Sequence, residues 1–492
     1  MNYLLYVLLA VLVFVIVMIM VRAFRFGNAE SSKVDSVSLP VVDSDRLAAH
    51  LSDAIQCKTL SYLDVEKVDP APFQALHEVL EKNYPLIYKK LKCEVQDGFN
   101  LVYHWEGRSK ELDPILLMAH QDVVPADPVT LDQWKQAPFS GEIVDGVIWG
   151  RGTLDCKGQL VGVMEAIEYL LSTGYEPERS IYLAFGQDEE VGGQTGQNLI
   201  SRKFKEDGIH FAAVLDEGGA ILSGQIPGVE VPVALVANCE KGYVTLEIKA
   251  KGDGGHSSMP PQVTTIGRLA KGLAKIEANP VPYNVERIIP MFEALGKRAP
   301  FMYRLAFSNL WLFRGFLQKK LQENPKMAAI IHSTTAITMI NGGVKDNILP
   351  SKASAIVNFR LSSGDSIQHL IEYVKFLVEP YDLSVSVAGE HPWEASPVSN
   401  VDSPAFDLLS TCIQETFGEV AVTPFVMLGA TDARYYSDLS EHVYRFGPVR
   451  MRSDQLDSVH NINEHITVKQ FTETVQFFVL LTKKWAKAKW VE

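Results

Sequence analysis

Asp188, Glu189 and Glu190 stand side by side directly after the apolar run 181–185. Adjacent carboxylates repel one another, so such a triplet belongs either in a solvated turn or where bound cations offset its charge. Four other stretches carry residues of the same chemical kind. The segment 114–124, PILLMAHQDVV, offers His120 and Asp122, and WGRGTLDCKG offers Asp155. AAVLDEGG offers Asp216 and Glu217, and HNINEHI near the C-terminus offers His460, Glu464 and His465. Each stretch alone reads as a packed histidine or a wet loop. Together, imidazoles and carboxylates from separate segments suit zinc, and also cobalt or manganese.

Local backbone geometry sharpens this. In extended chain, residues i and i+2 point the same way, so Asp122 can accept the second ring N–H of His120 and orient it. By the same alternation Glu189 and Glu190 point apart. One can bind a metal while the other faces a reacting water.

The elements needed to position these groups are legible as well. Apolar runs at 114–120, 181–187 and 212–219 read as buried strands, and 158–174 as a helix ended by Gly174. A further amphipathic helix is expected near 45–57. Alternation of strands and helices argues an α/β fold with parallel strands, whose ligands bind beyond the strands' carboxyl ends. From about residue 238 the texture changes. The runs 244–252 and 354–363 alternate apolar and polar residues, as half-exposed strands do, which suggests an α+β unit inserted in the larger domain. The expected organisation is an N-terminal apolar segment over 1–26, a linker over 27–44, a catalytic domain over 45–237 and 396–492, and an inserted unit over 238–395. Within that unit, 283–330 is a long stretch rich in Phe, Tyr, Leu and Arg.

The whole chain has 492 residues and a formal charge of −13, which disfavours nucleic acid as a partner. Five scattered cysteines without a C-x-x-C pair read as free thiols. Residues 3–21 carry no charge and, at ~1.5 Å per residue, are long enough as a helix to span the ~30 Å hydrocarbon layer. That favours an uncleaved single-pass anchor over a signal peptide, because no basic start precedes a run this long. Arg22 and Arg25 follow it, which by the positive-inside rule would leave the body in the cytoplasm.

In the order MAHQDVVP, WGRGTLDCKG, GQDEEVGG, VLDEGG, GGHSSMP and NEHI, the chain resembles the co-catalytic zinc amidohydrolases. That family includes aminoacylase, carboxypeptidase S, carnosinase and glutamate carboxypeptidase. The likeness runs from roughly residue 45 to 485 and is strongest to carboxypeptidase S and the N-fatty-acyl-amino-acid hydrolases. The resemblance implies a hydrolase-like mixed sheet flanked by helices, with an inserted α+β lid of the dimerisation type. It implies two zinc ions, with His120 and Asp216 on one, Glu190 and His465 on the other, and Asp155 bridging. It makes Glu189 the general base and Asp122 the orienter of His120. His256 would help hold the substrate oxyanion, in dimeric members from the partner subunit, and Arg360 and Asn347 would contact substrate from the lid. The implied activity is hydrolysis of an amide next to a free carboxylate, in a peptide or an N-acyl amino acid. Condensation of a fatty acid with an amino acid uses the same residues. The alternative in another class is a membrane-tethered binding protein that has lost the reaction. The enlarged 283–330 stretch resembles the lid of the carboxypeptidase S branch, and its aromatics suit an apolar acyl group. Resemblance to that branch places the catalytic body on the non-cytoplasmic side, against the arginine argument.

Overall fold

The computed structural model describes residues 2–27, 37–224, 229–487 and 489–490. Most of the expected linker, residues 28–36, lies outside them. The centre of the molecule is an eight-stranded mixed sheet. Its order is Lys92–Gln96, Asn100–Trp105, Ile181–Gly186, Ile115–His120, Ala213–Leu222, Val443–Met451, Val233–Glu240 and Ala421–Met427. Ile115–His120 runs parallel to Ile181–Gly186, with His120 opposite Gly186, and parallel to Ala213–Leu222. The buried strands are the continuous apolar runs of the sequence, as a sheet covered on both faces demands.

Helix Lys157–Ser172 lies against this sheet and is buried almost all round. It crosses helix Val468–Trp485 at Gly162, where a Cβ would meet the Thr474 methyl at 2.9 Å. The helix expected at 45–57 is Ser44–Gln56, capped by Asp43, whose side chain accepts from the Arg46 amide.

A second sheet of four antiparallel strands is built from Thr334–Gly342, Lys352–Leu361, Gly242–Lys251 and Leu383–Trp393. Lys352–Leu361 alternates buried and part-exposed residues along its length. Its inner face packs Val357, Phe359 and Leu361 with Val244, Leu246 and Ile248 under helices Thr265–Glu277 and Ile367–Val378. The 283–330 stretch folds as short helices, and its apolar side does not join that core. It forms a separate cluster in which Met291, Phe292 and Leu295 pack with Val233 and Ala421 of the large sheet. Thr423 also donates to the Met291 carbonyl at 3.0 Å. The apolar helix Asn2–Arg25 stands outside both sheets, and only its last turns touch the body. All five cysteines are free thiols.

Candidate active site

Strand Ile115–His120 delivers a fully buried imidazole. His120 Nδ1 bonds the Asp122 main-chain carbonyl at 2.9 Å and lies 3.3 Å from its carboxylate. Orientation of the ring therefore comes from the Asp122 backbone as much as from its side chain. The carboxylate has a further task. It accepts from Ser61 Oγ at 2.6 Å and from the amides of Glu189 and Glu190 at 3.1 Å each. Asp122 thus fixes the turn that carries both glutamates, which nothing in its own stretch of sequence announced. Asp188, the first acid of the triplet, locks the other end by accepting from the Thr195 amide and hydroxyl at 2.8 Å.

Asp155 joins two imidazoles. Its Oδ1 lies 3.0 Å from His120 Nε2 and its Oδ2 2.9 Å from His460 Nε2. Glu217 Oε1 is 3.3 Å from His120 Nε2, and Glu190 Oε2 is 3.1 Å from His460 Nε2. The loop bearing Asp155 is held by Glu464, which accepts from the amides of Gly152, Leu154 and Asp155 and pairs with Arg151 at 2.6 Å. Glu464 is fully buried, so the loop and the C-terminal segment are fixed to each other.

Two residues expected as ligands, Asp216 and His465, make other direct contacts. Asp216 Oδ1 accepts from the Glu217 amide at 2.9 Å, while its Oδ2 is buried with no partner and the charge of His120 acts on it. Pairing with Val443–Met451 skips from Asp216 to Gly219, and the resulting bulge at Glu217 and Gly218 turns Glu217 toward the imidazole. His465 begins a strand paired with Val147–Trp149, so its ring stacks on Trp149 at 4.6 Å and its Nε2 faces Arg452 at 3.2 Å. His460, in the preceding loop and with a positive φ of 59°, reaches the acids instead.

The electrostatics are those of a crowded acidic site. Burial, then the charge of Asp155, raises the pKa of Glu217, and burial raises Glu189 well above its ordinary value. Burial opposes a charge on His120, but Cys156, Glu217 and the two aspartates outweigh it and hold its pKa well above normal. Hydrogen bonds that His460 donates to Asp155 and Glu190 push its pKa up to about 10. The Cys156 thiol accepts from the His120 amide at 3.5 Å, and burial keeps its pKa well above the usual range. Glu190 Oε1 is buried with no partner. Two imidazoles, three carboxylates and an unpaired carboxylate oxygen fit divalent cations of the zinc type.

These groups floor a cavity of about 1480 Å³. Glu189, Glu190, Asp155, Glu217 and His460 line it on one side, and Arg360 faces the same space with its guanidinium 4.7 Å from the Tyr243 ring. Leu235, Met291, Met327, Ile330, Phe425 and Leu428 give it an apolar arm. Arg434 also lines it, stacked between Trp393 and Tyr435 and donating to the Gly192 carbonyl at 2.7 Å. Sequence reasoning missed Arg434. The signal was ATDAR, a polar stretch just beyond the carboxyl end of strand Ala421–Met427. His256 and Asn347 do not line the cavity. They meet on a two-stranded ribbon, where Ser257 donates to the Asn347 carbonyl at 3.2 Å and His256 is exposed.

Residues 116–484 match the model for peptidase family M20/M25/M40. The chain is 37% identical over 486 residues to a probable carboxypeptidase S-like 2 of Dictyostelium discoideum, covering 97% of this chain and 93% of that one. It is 36% identical over 480 residues to the N-fatty-acyl-amino acid synthase/hydrolase PM20D1 of Xenopus tropicalis, covering 96% and 92%. To carboxypeptidase S of Saccharomyces cerevisiae it is 34% identical over 480 residues, covering 87% and 82%. Among solved structures, the M20 family metallo-carboxypeptidase Sso-CP2 of Sulfolobus solfataricus superposes with a TM-score of 0.64 at 19% identity, over 89% of this chain and 99% of that one.

Proposed function

This chain belongs to peptidase family M20/M25/M40 and is a metal-dependent hydrolase, and from that premise we propose that it cleaves an amide bond adjacent to a free carboxylate. The observation that carries this reading is the shared cavity, lined both by Glu189 and the acid–imidazole cluster and by Arg360. We assign two cation sites, one of His120, Asp155 and Glu217 and the other of Asp155, Glu190 and His460. The set that the motif order implied has Asp216 and His465 in place of Glu217 and His460, and the unpartnered, buried Asp216 Oδ2 keeps Asp216 a candidate. Zinc suits these donors, with cobalt or manganese as alternatives, and when bound it supplies Lewis-acid polarisation and an acidified water.

The remaining work falls to the chain's own groups. Asp122 holds His120 in one orientation and fixes the turn of Glu189. Glu189 takes the proton of the attacking water as its oxygen bonds to the scissile carbon. It then returns that proton to the departing nitrogen as the C–N bond breaks. Arg360 pairs with the substrate carboxylate, which sets which amide lies over the acids. His256 stabilises the oxyanion from a second copy of the chain, a role that suits its exposed ribbon, with Asn347 beside it.

The apolar arm of the cavity favours N-acyl amino acids with long acyl chains over short dipeptides, in either direction of the reaction. Helix Asn2–Arg25 we read as a membrane anchor, since it is long and apolar enough to cross a bilayer, with the catalytic body on the non-cytoplasmic side. The zinc-loaded chain tested on a matched panel should release amino acid from N-acyl amino acids. It should lose roughly tenfold or more in kcat/KM when the carboxylate is esterified. Equal turnover of acid and ester, or no release from any member of the panel, would overturn this function.

A further inference from the structure

The N-terminal helix docks on the body along one stripe. Over residues 3–26, only Val15, Met18, Ile19, Ala23 and Phe26 are shielded, a spacing of three and four that marks one helix face. The stripe meets helix Phe301–Phe307. Phe24 lies 5.4 Å from Phe301, and the buried Asn309 side chain donates to the Ile19 carbonyl at 3.2 Å. Phe26 enters the same apolar cluster as Met291 and Ile330, which also line the cavity.

The height of this contact fixes where the corner sits. The uncharged run ends at Val21, yet Asn309 bonds the Ile19 carbonyl and partial shielding extends to Val15, six residues further in, or about 9 Å along a helix. If the run spans a bilayer, the corner formed by Phe301–Phe307 and Leu310–Gln322 cannot stay in the water. It must enter the leaflet at the depth typical of interfacial helices, about 5–10 Å.

The corner has the surface for that position. Met302, Trp311, Leu312 and Phe316 are 70%, 58%, 51% and 59% exposed, which no soluble face requires of four large apolar side chains. Between Glu293 and Glu323 there is no acidic residue, while Arg304, Arg314, Lys319 and Lys320 are all present. With Arg22 and Arg25 they give the segments bearing the aromatic patch an excess of basic residues suited to anionic headgroups, with Arg314 paired to Glu286 and Lys320 to Glu323. We propose that the corner at residues 301–316 is a second, monotopic membrane contact, seated in the leaflet that the N-terminal helix enters. It rests on the reading of that helix as an anchor. A second copy of the chain does not explain the height of the docked stripe; a bilayer does.

The test uses the full-length protein in phosphatidylcholine–phosphatidylglycerol vesicles carrying lipids brominated at shallow or deep acyl positions. The Trp311 contribution is isolated by subtracting the emission of Trp311→Phe. Shallow bromines should quench it, with deep bromines less effective, and a tryptophan placed by Met302→Trp in the Trp311→Phe background should behave alike. A protein that floats with the vesicles yet shows no quenching at either position overturns the corner contact and leaves the anchor standing. A protein that does not float, or has lost residues 2–26, overturns the anchor and with it this contact. Unquenched Trp311 together with cross-linked dimers assigns the patch to a second copy and also overturns it.

Discussion

The end of the eight-stranded sheet and the ribbon carrying His256 make an instructive pair. At the sheet end, His120, Asp155, Glu190, Glu217 and His460 converge from five segments within hydrogen-bonding distances. The glutamate turn and the Asp155 loop are held by the buried Asp122 and Glu464. On the ribbon, the His256 ring bonds its neighbour Ser258 at 2.8 Å and faces solvent. A sheet fixes its strand ends relative to one another, so residues there find each other within one chain. A two-residue strand pairing at the edge of the second unit fixes its residues only locally. The sheet-end cluster forms within one chain, whereas the ribbon does not line its cavity.

The largest effect should come from breaking the first region at its proton-transfer group. Glu189→Gln should lower kcat by roughly 10²–10⁴-fold while metal content stays that of the parent. Turnover that survives would remove Glu189 from its assigned role. Next is the ribbon. His256→Ala should lower kcat by about 10²–10³-fold, the range for loss of an oxyanion donor. Mixing it with Glu189→Gln chains should restore part of the activity, because each mixed dimer holds one intact pairing. Mixed dimers that stay inactive would deny the ribbon a role in a second copy. The smallest effect separates two histidines five residues apart. His465→Ala should leave metal stoichiometry untouched and reduce stability by about 1 kcal/mol through lost stacking on Trp149. His460→Ala, read by the same elemental analysis, should lose one metal per chain. The reverse pattern would restore the ligand set implied by the motif order.

The contrast between regions also governs how much could be read in advance. The strands at 114–120, 181–187 and 212–219 and the helix at 158–174 lie where apolar runs and periodicity put them. His120, Asp155 and Glu190 come together because each ends or follows such an element. The choice between Asp216 and Glu217 was not legible, because adjacent acids on a strand face opposite ways and only the bulge at Gly218 selects one. His460 and His465 raised the same difficulty in a loop. The 283–330 stretch was legible as apolar and helical, but not as packing on the edge strand Ala421–Met427.

The sequence by itself determined the chemistry available: imidazoles and carboxylates at the ends of buried strands, a chain long enough for two sheets, and a leading run fit for a bilayer. Those follow from residue type, order and period, which are local properties. Tertiary structure alone decided which of two neighbouring acids and which of two nearby histidines enter the cluster. It also decided that Asp122 serves the glutamate turn, that Arg434 joins the cavity, and that the N-terminal helix docks on helix Phe301–Phe307. Each of these depends on contacts between segments far apart in the chain, set by sheet register, a bulge and the docking of one helix face.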